Sequence, residues 1–158
     1  MLKNIIDETV NLLQGNIKNK EIELSVLVDE QAVVLADYNM LSTILRNLIS
    51  NAVKFTSSNG KIIIDSKSKD QQVLISIADT GVGISDEILS KLFNPEEFVT
   101  TKGTNNESGT GLGLNLISEF VTLNKGIIEI KSQVNVGTTF YLTFPKPKPE
   151  SENSVISS

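Results

Sequence analysis

The chain contains no cysteine and no histidine. The first absence excludes disulfides and thiolate metal sites, and it leaves the redox compartment open. The second removes imidazole general bases, the commonest zinc ligands and any histidine nucleophile. Long apolar runs are missing too: nothing approaches the roughly 20 residues needed to span a bilayer. Charge is modest, at −5 over 158 residues. That balance gives no general attraction to nucleic acid or to an anionic membrane. It still allows a small positive pocket for a phosphorylated ligand.

What is present is ordinary for a globular protein, with 39% hydrophobic and 21% charged residues. A chain of this length can bury roughly 70% of its unfolded surface in one core. Residues 1–145 are expected to form a single domain. Residues 146–158, in the Pro/Lys- then Ser-rich stretch PKPKPESENSVISS, are expected to be an exposed tail or linker. The start, MLKNIIDETVNLL, has the pattern of an amphipathic helix and not of a signal peptide. The chain is therefore expected to be part of something longer.

Ile5, Ile6, Val10, Leu12, Leu13 and Ile17 keep helical spacing, ending near Gly15 to Lys20. EIELSVLV alternates as a strand and AVVL as a short second one. Asp37 is the expected N-cap of a helix with Leu41, Ile44, Leu45, Leu48, Ile49, Ala52 and Val53 on its apolar face. KIIIDSKS and VLISIAD form an expected antiparallel hairpin, followed by the glycine turn DTGVGIS and a short helix from about Ser85 to Leu92. Residues 94 to 108 have little periodicity and are expected to form a long mobile loop. GTGLGLNLISEFVTLN is a glycine turn opening directly into a helix, and GIIEIKSQ with TTFYLTF closes the domain as a second hairpin. Strands arriving in pairs, with no βαβ rhythm, predict an α/β two-layer sandwich. Its sheet is mixed and largely antiparallel, with helices on one face.

Three segments carry candidate chemistry. In NLISNAVKFT, Asn47 and Asn51 stand four apart, on one helical face, with Lys54 a turn further on. Amide oxygens suit Mg²⁺, which takes the rest of its shell from waters and substrate phosphates. The same amides could instead cap neighbouring backbone or bridge to water. Asp79 ends an apolar strand, where a carboxylate can accept a hydrogen bond from an exocyclic amine such as that of adenine. Gly81 and Gly83 follow, where bulk would keep a flat base from the backbone. A plain turn at a strand end fits these residues as well. In GTGLGL, residues 109 to 114, glycines before a helix expose N–H groups suited to phosphate, or simply make a hinge. A Rossmann fingerprint would follow a strand, and a P-loop would end in Gly-Lys-Ser/Thr; neither condition is met.

Taken in order, N-x-x-x-N-x-x-K, D-x-G-x-G, a polar loop and G-x-G-x-G resemble the ATP-binding domain shared by gyrase, chaperone ATPases, mismatch-repair ATPases and histidine kinases. LRNLISNAVKFT, IADTGVGI, KLFNPEEF and GTGLGLNLI look like the N, G1, F and G2 boxes of two-component sensor histidine kinases, over about residues 1 to 145. The resemblance implies the Bergerat-type fold and Mg-ATP binding. It implies Asn51 as the Mg²⁺ ligand, Asn47 as support for metal or phosphate, and Lys54 as a phosphate contact. Asp79 would hold the adenine amine, with Gly81, Gly83 and Ile84 lining the base. Gly109, Thr110, Gly111, Leu112 and Gly113 would meet the triphosphate under a lid formed by residues 94 to 108, with Phe93 the F-box aromatic. Lys102 would be a lid cation over the γ-phosphate or a solvated lysine. Thr138 would reach adenine through water and Phe55 would flank the ribose, unless both only pack. NPEEF departs from the more aromatic or basic lid sequence that is frequent in the family.

Within the superfamily, hydrolases and anti-sigma serine kinases carry an acid four residues before the metal Asn, where it can accept a proton. Here that position is Asn47, which cannot act as a base at neutral pH. The expectation is therefore transfer of the γ-phosphoryl group to histidine. The alternatives are a regulatory module that only binds ATP and, further off, a gyrase- or chaperone-like ATPase. The family's acceptor histidine lies on a dimerising helical hairpin before this domain. The implied partners are thus that hairpin and a downstream response regulator, with no nucleic acid and no direct membrane contact. The fragment itself is expected to be monomeric and cytoplasmic, in a parent that could be membrane-anchored.

Overall fold

A computed structural model describes residues 2–89, 100–102, 108–110 and 114–147 of the chain. Helices α1 (Leu2–Leu12) and α2 (Gln14–Asn19) precede strand β1 (Glu23–Leu27). The long helix α3 (Tyr38–Phe55) leads to β2 (Lys61–Lys69), β3 (Gln72–Asp79) and the one-turn α4 (Asp86–Leu89). Two three-residue strands, β4 (Thr100–Lys102) and β5 (Ser108–Thr110), come before α5 (Leu114–Leu123), β6 (Ile127–Gln133) and β7 (Gly137–Pro145).

The main sheet has five strands in the order β1-β2-β3-β7-β6, and every neighbouring pair is antiparallel except β1 with β2. Alternation decides which face is buried. Ile62 and Ile64 on β2, Val73, Ile75 and Ile77 on β3, and Phe140, Leu142 and Phe144 on β7 are all buried. Against them lie α1, α3 and α5, whose buried stripes include Ile6, Leu45, Leu48, Ile49 and Ile117. Helices α1 and α5 pack on α3, and α3 packs on β3. This is the expected two-layer α/β sandwich with a mixed, largely antiparallel sheet.

Local chemistry sets the helix ends. Asp37 caps α3, its Oδ1 accepting from the Met40 N–H at 2.9 Å. Helix α2 ends in a Schellman arrangement with Glu21 left-handed at φ 52°. The Glu21 and Ile22 N–H groups donate to the Lys18 and Ile17 carbonyls. Lys125, at φ 59°, ends α5 in the same way through Val121 and Thr122. Asn124 ties two helices together, its Oδ1 accepting from the Asp37 N–H at 2.8 Å while its Nδ2 donates to the Phe120 carbonyl.

Four expectations need correction. AVVL, residues 32–35, is not a strand. The Ala32 carbonyl accepts from Leu2 and the Leu35 N–H donates to Pro145, but no neighbour runs alongside to form a ladder. With that segment out of the sheet, β1, α3 and β2 form one βαβ unit, because parallel neighbours need a crossover. The first helix breaks at Leu13 instead of running through. Within the expected loop 94 to 108, β4 and the first residue of β5 already pair, with Lys102 opposite Ser108. The short helix is described from Asp86 to Leu89, and its expected continuation lies outside the described residues.

Candidate nucleotide-binding site

Helix α3 brings Asn47, Asn51 and Lys54 to successive turns of one side. Asn51 is buried, while Asn47 and Lys54 are half-buried. Asn47 Nδ2 donates to the Thr43 carbonyl across a long 3.4 Å. Leu48, Ile49, Ala52 and Val53 turn into the core, so the amphipathic pattern leaves these polar positions along its edge.

The end of this helix is built against the turn that follows β3. The Val82 N–H donates to the Phe55 carbonyl at 3.1 Å. A Cβ at position 81 would collide with that carbonyl, and one at 83 with the Gln133 carbonyl; Gly83 also has φ 75°. Both glycines are thus required by close backbone approach. The opposite side of the turn is joined to the β6–β7 hairpin, since the Asn135 N–H donates to the Val82 carbonyl at 2.8 Å.

Asp79 lies at the floor of this junction, only 9% exposed. Its Oδ1 accepts from the Gly81 N–H at 2.8 Å, and the Thr138 N–H also donates to the carboxylate. Burial pushes its pKa from the ordinary 3.8 up to about 6, and the two N–H bonds hold it back from rising further. At neutral pH it is an ionised, acceptor-only group in a confined place. Thr138 stands opposite Asp79 across β3 and β7, so the two side chains share the helix-facing side of the sheet. Ile84, half-buried, packs against the core beside them.

The expected site residues therefore fall into three sets. Asp79, Gly81, Gly83, Ile84, Thr138 and Phe55 converge around the α3–β3 junction, next to the helix carrying Asn47, Asn51 and Lys54. Lys102, Gly109 and Thr110 lie on the paired strands β4 and β5. Phe93, Gly111, Leu112 and Gly113 lie outside the described residues. Among the described residues no group of three or more acidic side chains could hold a metal alone. Beside α3, the described donors suited to a divalent ion are neutral amide oxygens, which leave the rest of its shell to water and to a ligand's phosphates.

Two residues escaped the sequence reading. Lys20, 4% exposed, donates from Nζ to the Val53, Lys54 and Thr56 carbonyls at 2.9, 2.9 and 3.2 Å. It caps the C-terminus of α3 from the residue just past α2, with positive charge at the negative end of the dipole. Nothing in its local sequence marks this role. Ser132 did leave a signal. It follows Ile128 and Ile130 in the alternation of β6, as Asp79 follows Ile75 and Ile77, a polar group where the pattern calls for a core residue.

Comparison with known proteins agrees with this geometry. Residues 36–148 match the family described as histidine kinase-, DNA gyrase B-, and HSP90-like ATPase. Among curated relatives, the chain is 36% identical over 146 residues to the signal transduction histidine-protein kinase AtoS of Escherichia coli, covering 91% of this chain and 23% of that protein. It is 34% identical over 146 residues to sporulation kinase D of Bacillus subtilis, covering 91% of this chain and 28% of that one. The chain thus spans about a quarter of these relatives' lengths. The solved catalytic domain of the histidine kinase ThkA superposes with a TM-score of 0.77 at 31% identity, over 92% of each chain. The chain belongs to this ATPase family, and within it to the histidine kinase type. It is an ATP-binding catalytic domain. Among the described residues no helix is long and apolar enough to cross a membrane.

Proposed function

We propose that this domain binds Mg-ATP at the α3–β3 junction and transfers the γ-phosphoryl group to a histidine on another domain of its parent protein. The observation that supports this best is the seating of the Asp79-Gly81-Gly83 turn against the end of the helix bearing Asn47, Asn51 and Lys54. Asp79 accepts from the adenine amine, and Gly81, Gly83 and Ile84 leave a slot for the base, with Thr138 beside it. Phe55 flanks the ribose. Asn51, seconded by Asn47, offers a neutral oxygen to Mg²⁺, and Lys54 offers charge to the phosphates. The metal, when bound, neutralises charge on the phosphate oxygens. Gly109 to Gly113 meet the triphosphate, and Lys102 lies over the γ-phosphate.

Phosphoryl transfer asks mainly for positioning and charge stabilisation. A neutral imidazole nitrogen supplies the electron pair of the new P–N bond while the bond to the ADP oxygen breaks. No general base is needed to make such a nucleophile, and Asn47 provides none. The acceptor cannot be in this chain, which has no histidine. The partners are a dimerising helical hairpin bearing that histidine and, downstream, a response regulator. ThkA has been solved in complex with the response regulator protein TrrA. The domain, residues 1–145, works in the cytoplasm as a monomeric unit of a larger sensor.

Incubation of the chain alone with γ-labelled ATP should give no phosphohistidine. Addition of the parent's histidine-bearing hairpin should give transfer, and Asn51→Ala should slow it roughly 100-fold or more. Steady phosphate release by the domain alone would instead support a hydrolase. Tight ATP binding without transfer to any hairpin would support a regulatory module.

A further inference from the structure

A row of polar side chains crosses the helix-facing side of three neighbouring strands. Asp79 on β3 stands opposite Thr138 on β7, and Thr138 stands opposite Ser132 on β6. Ser132 Oγ lies 2.7 Å from the Ile84 nitrogen, 3.1 Å from the Gly137 carbonyl oxygen and 2.8 Å from Thr138 Oγ1. A serine hydroxyl has one proton and two lone pairs. The Ile84 N–H can only donate, and the Gly137 carbonyl can only accept. Those two contacts consume one lone pair and the only proton. What remains for Thr138 is the second lone pair, so the threonine hydroxyl must donate to it. The reverse assignment would set oxygen lone pairs against each other at Gly137.

The consequence falls on the pocket. Thr138 has its proton committed to Ser132, so toward Asp79 and the base it offers only lone pairs. A purine carrying a carbonyl where adenine has its amine would meet the Asp79 carboxylate, and the Thr138 hydroxyl opposite it in the sheet would have no proton to spare. We propose that Ser132 is a positioning residue that sets the hydrogen-bond polarity of this wall through Thr138, so that the pocket selects a 6-aminopurine over a 6-oxopurine. The inference rests on the assignment of Asp79 to the base. It adds a residue that touches no ligand yet decides which ligand is accepted.

The test is calorimetric titration of the 158-residue chain with Mg-ATP and with Mg-inosine triphosphate, whose base carries a carbonyl at the 6-position and, with it, a proton on N1. The wild-type chain should prefer ATP. Ser132→Ala frees the Thr138 proton, and the ATP-to-ITP affinity ratio should fall about tenfold, the worth of one hydrogen bond. Ser132→Thr keeps the hydroxyl and should keep the ratio. In a Thr138→Val background, Ser132→Ala should no longer change it. A Ser132→Ala ratio equal to wild type, with both affinities unchanged or lowered together, would overturn the inference while leaving the site in place. Failure of the wild-type chain to bind either nucleotide would overturn the site assignment and this inference with it.

Discussion

At the scale of single residues, Asp79 holds a position that costs the fold something. An unfolded chain gives up this proton near pH 3.8, while the folded chain keeps it to about pH 6. Between those values the folded state binds more protons, so this group's contribution to stability falls as pH rises and is level above about 6. At roughly 1.4 kcal/mol per pKa unit, ionised Asp79 costs the fold on the order of 3 kcal/mol at neutral pH. Asp79→Asn keeps an oxygen for the Gly81 N–H but offers one acceptor where the carboxylate offers two. The variant should therefore gain only about 1–2 kcal/mol at pH 7.5. That difference should shift by about the same 3 kcal/mol as pH falls through 6 to below 3.8, leaving the variant about 1–2 kcal/mol less stable than wild type there, and nucleotide binding should be lost at neutral pH. Urea denaturation of both proteins across that range measures it. A variant less stable than wild type at pH 7.5 would show that the carboxylate is a structural asset.

At the scale of elements, the helix carrying Asn47, Asn51 and Lys54 is held at its C-terminal end by other parts of the fold. The last carbonyls of α3 all have donors. Thr56 returns both its N–H and its Oγ1 to Ala52, Lys20 takes Val53, Lys54 and Thr56, and Val82 takes Phe55. A buried helix end needs such an accounting. Lys20→Met keeps the length of the side chain and removes all three donors. It should lower stability by about 2–4 kcal/mol, since charged hydrogen bonds are lost and buried carbonyls are stranded. Because Val82 bonds to the same helix end, its amide should also exchange faster with solvent than in wild type. Unchanged protection there would mean that the Lys20 cap and the Asp79-Gly81-Gly83 turn are independent. The N-terminal cap of this helix was legible in the sequence, because Asp37 acts on an N–H three residues away. The C-terminal cap was not, because Lys20 is more than thirty residues distant and lysine is common on any surface. The same logic explains AVVL. Its alternation is real, with Ala32 buried and Val33 and Leu35 exposed, but alternation says nothing about whether a strand partner lies alongside. The polar alternation breaks at Asp79, Ser132 and Thr138 were legible in principle. Only the register showed that they form one row.

At the scale of the whole molecule, the sheet order ties the two ends of the described chain to its middle. Strand β7, last in sequence, is interior to the sheet, between β3 and β6, and its end is fastened twice: the Leu35 N–H donates to the Pro145 carbonyl and the Lys146 N–H to the Gln71 carbonyl, each at 2.8 Å. Among the described residues the last backbone bond is made by Lys146, one residue past the domain edge expected from composition. A chain ending after Pro147 retains both bonds and loses only the Ser- and Glu-containing stretch from 148 to 158, so its thermal midpoint should match the full chain within about 1 °C. A chain ending after Phe144 loses both bonds and the closing residue opposite Gln72. At about 1 kcal/mol per bond and 2–4 °C per kcal/mol for a domain of this size, its midpoint should fall by about 4–8 °C. Scanning calorimetry of the two truncations separates the outcomes. Equal midpoints would mean that β7 is held by its side chains, Phe140, Leu142 and Phe144, and that the strand's exit contributes nothing. A large loss on removal of 148–158 alone would move the domain boundary beyond Pro147.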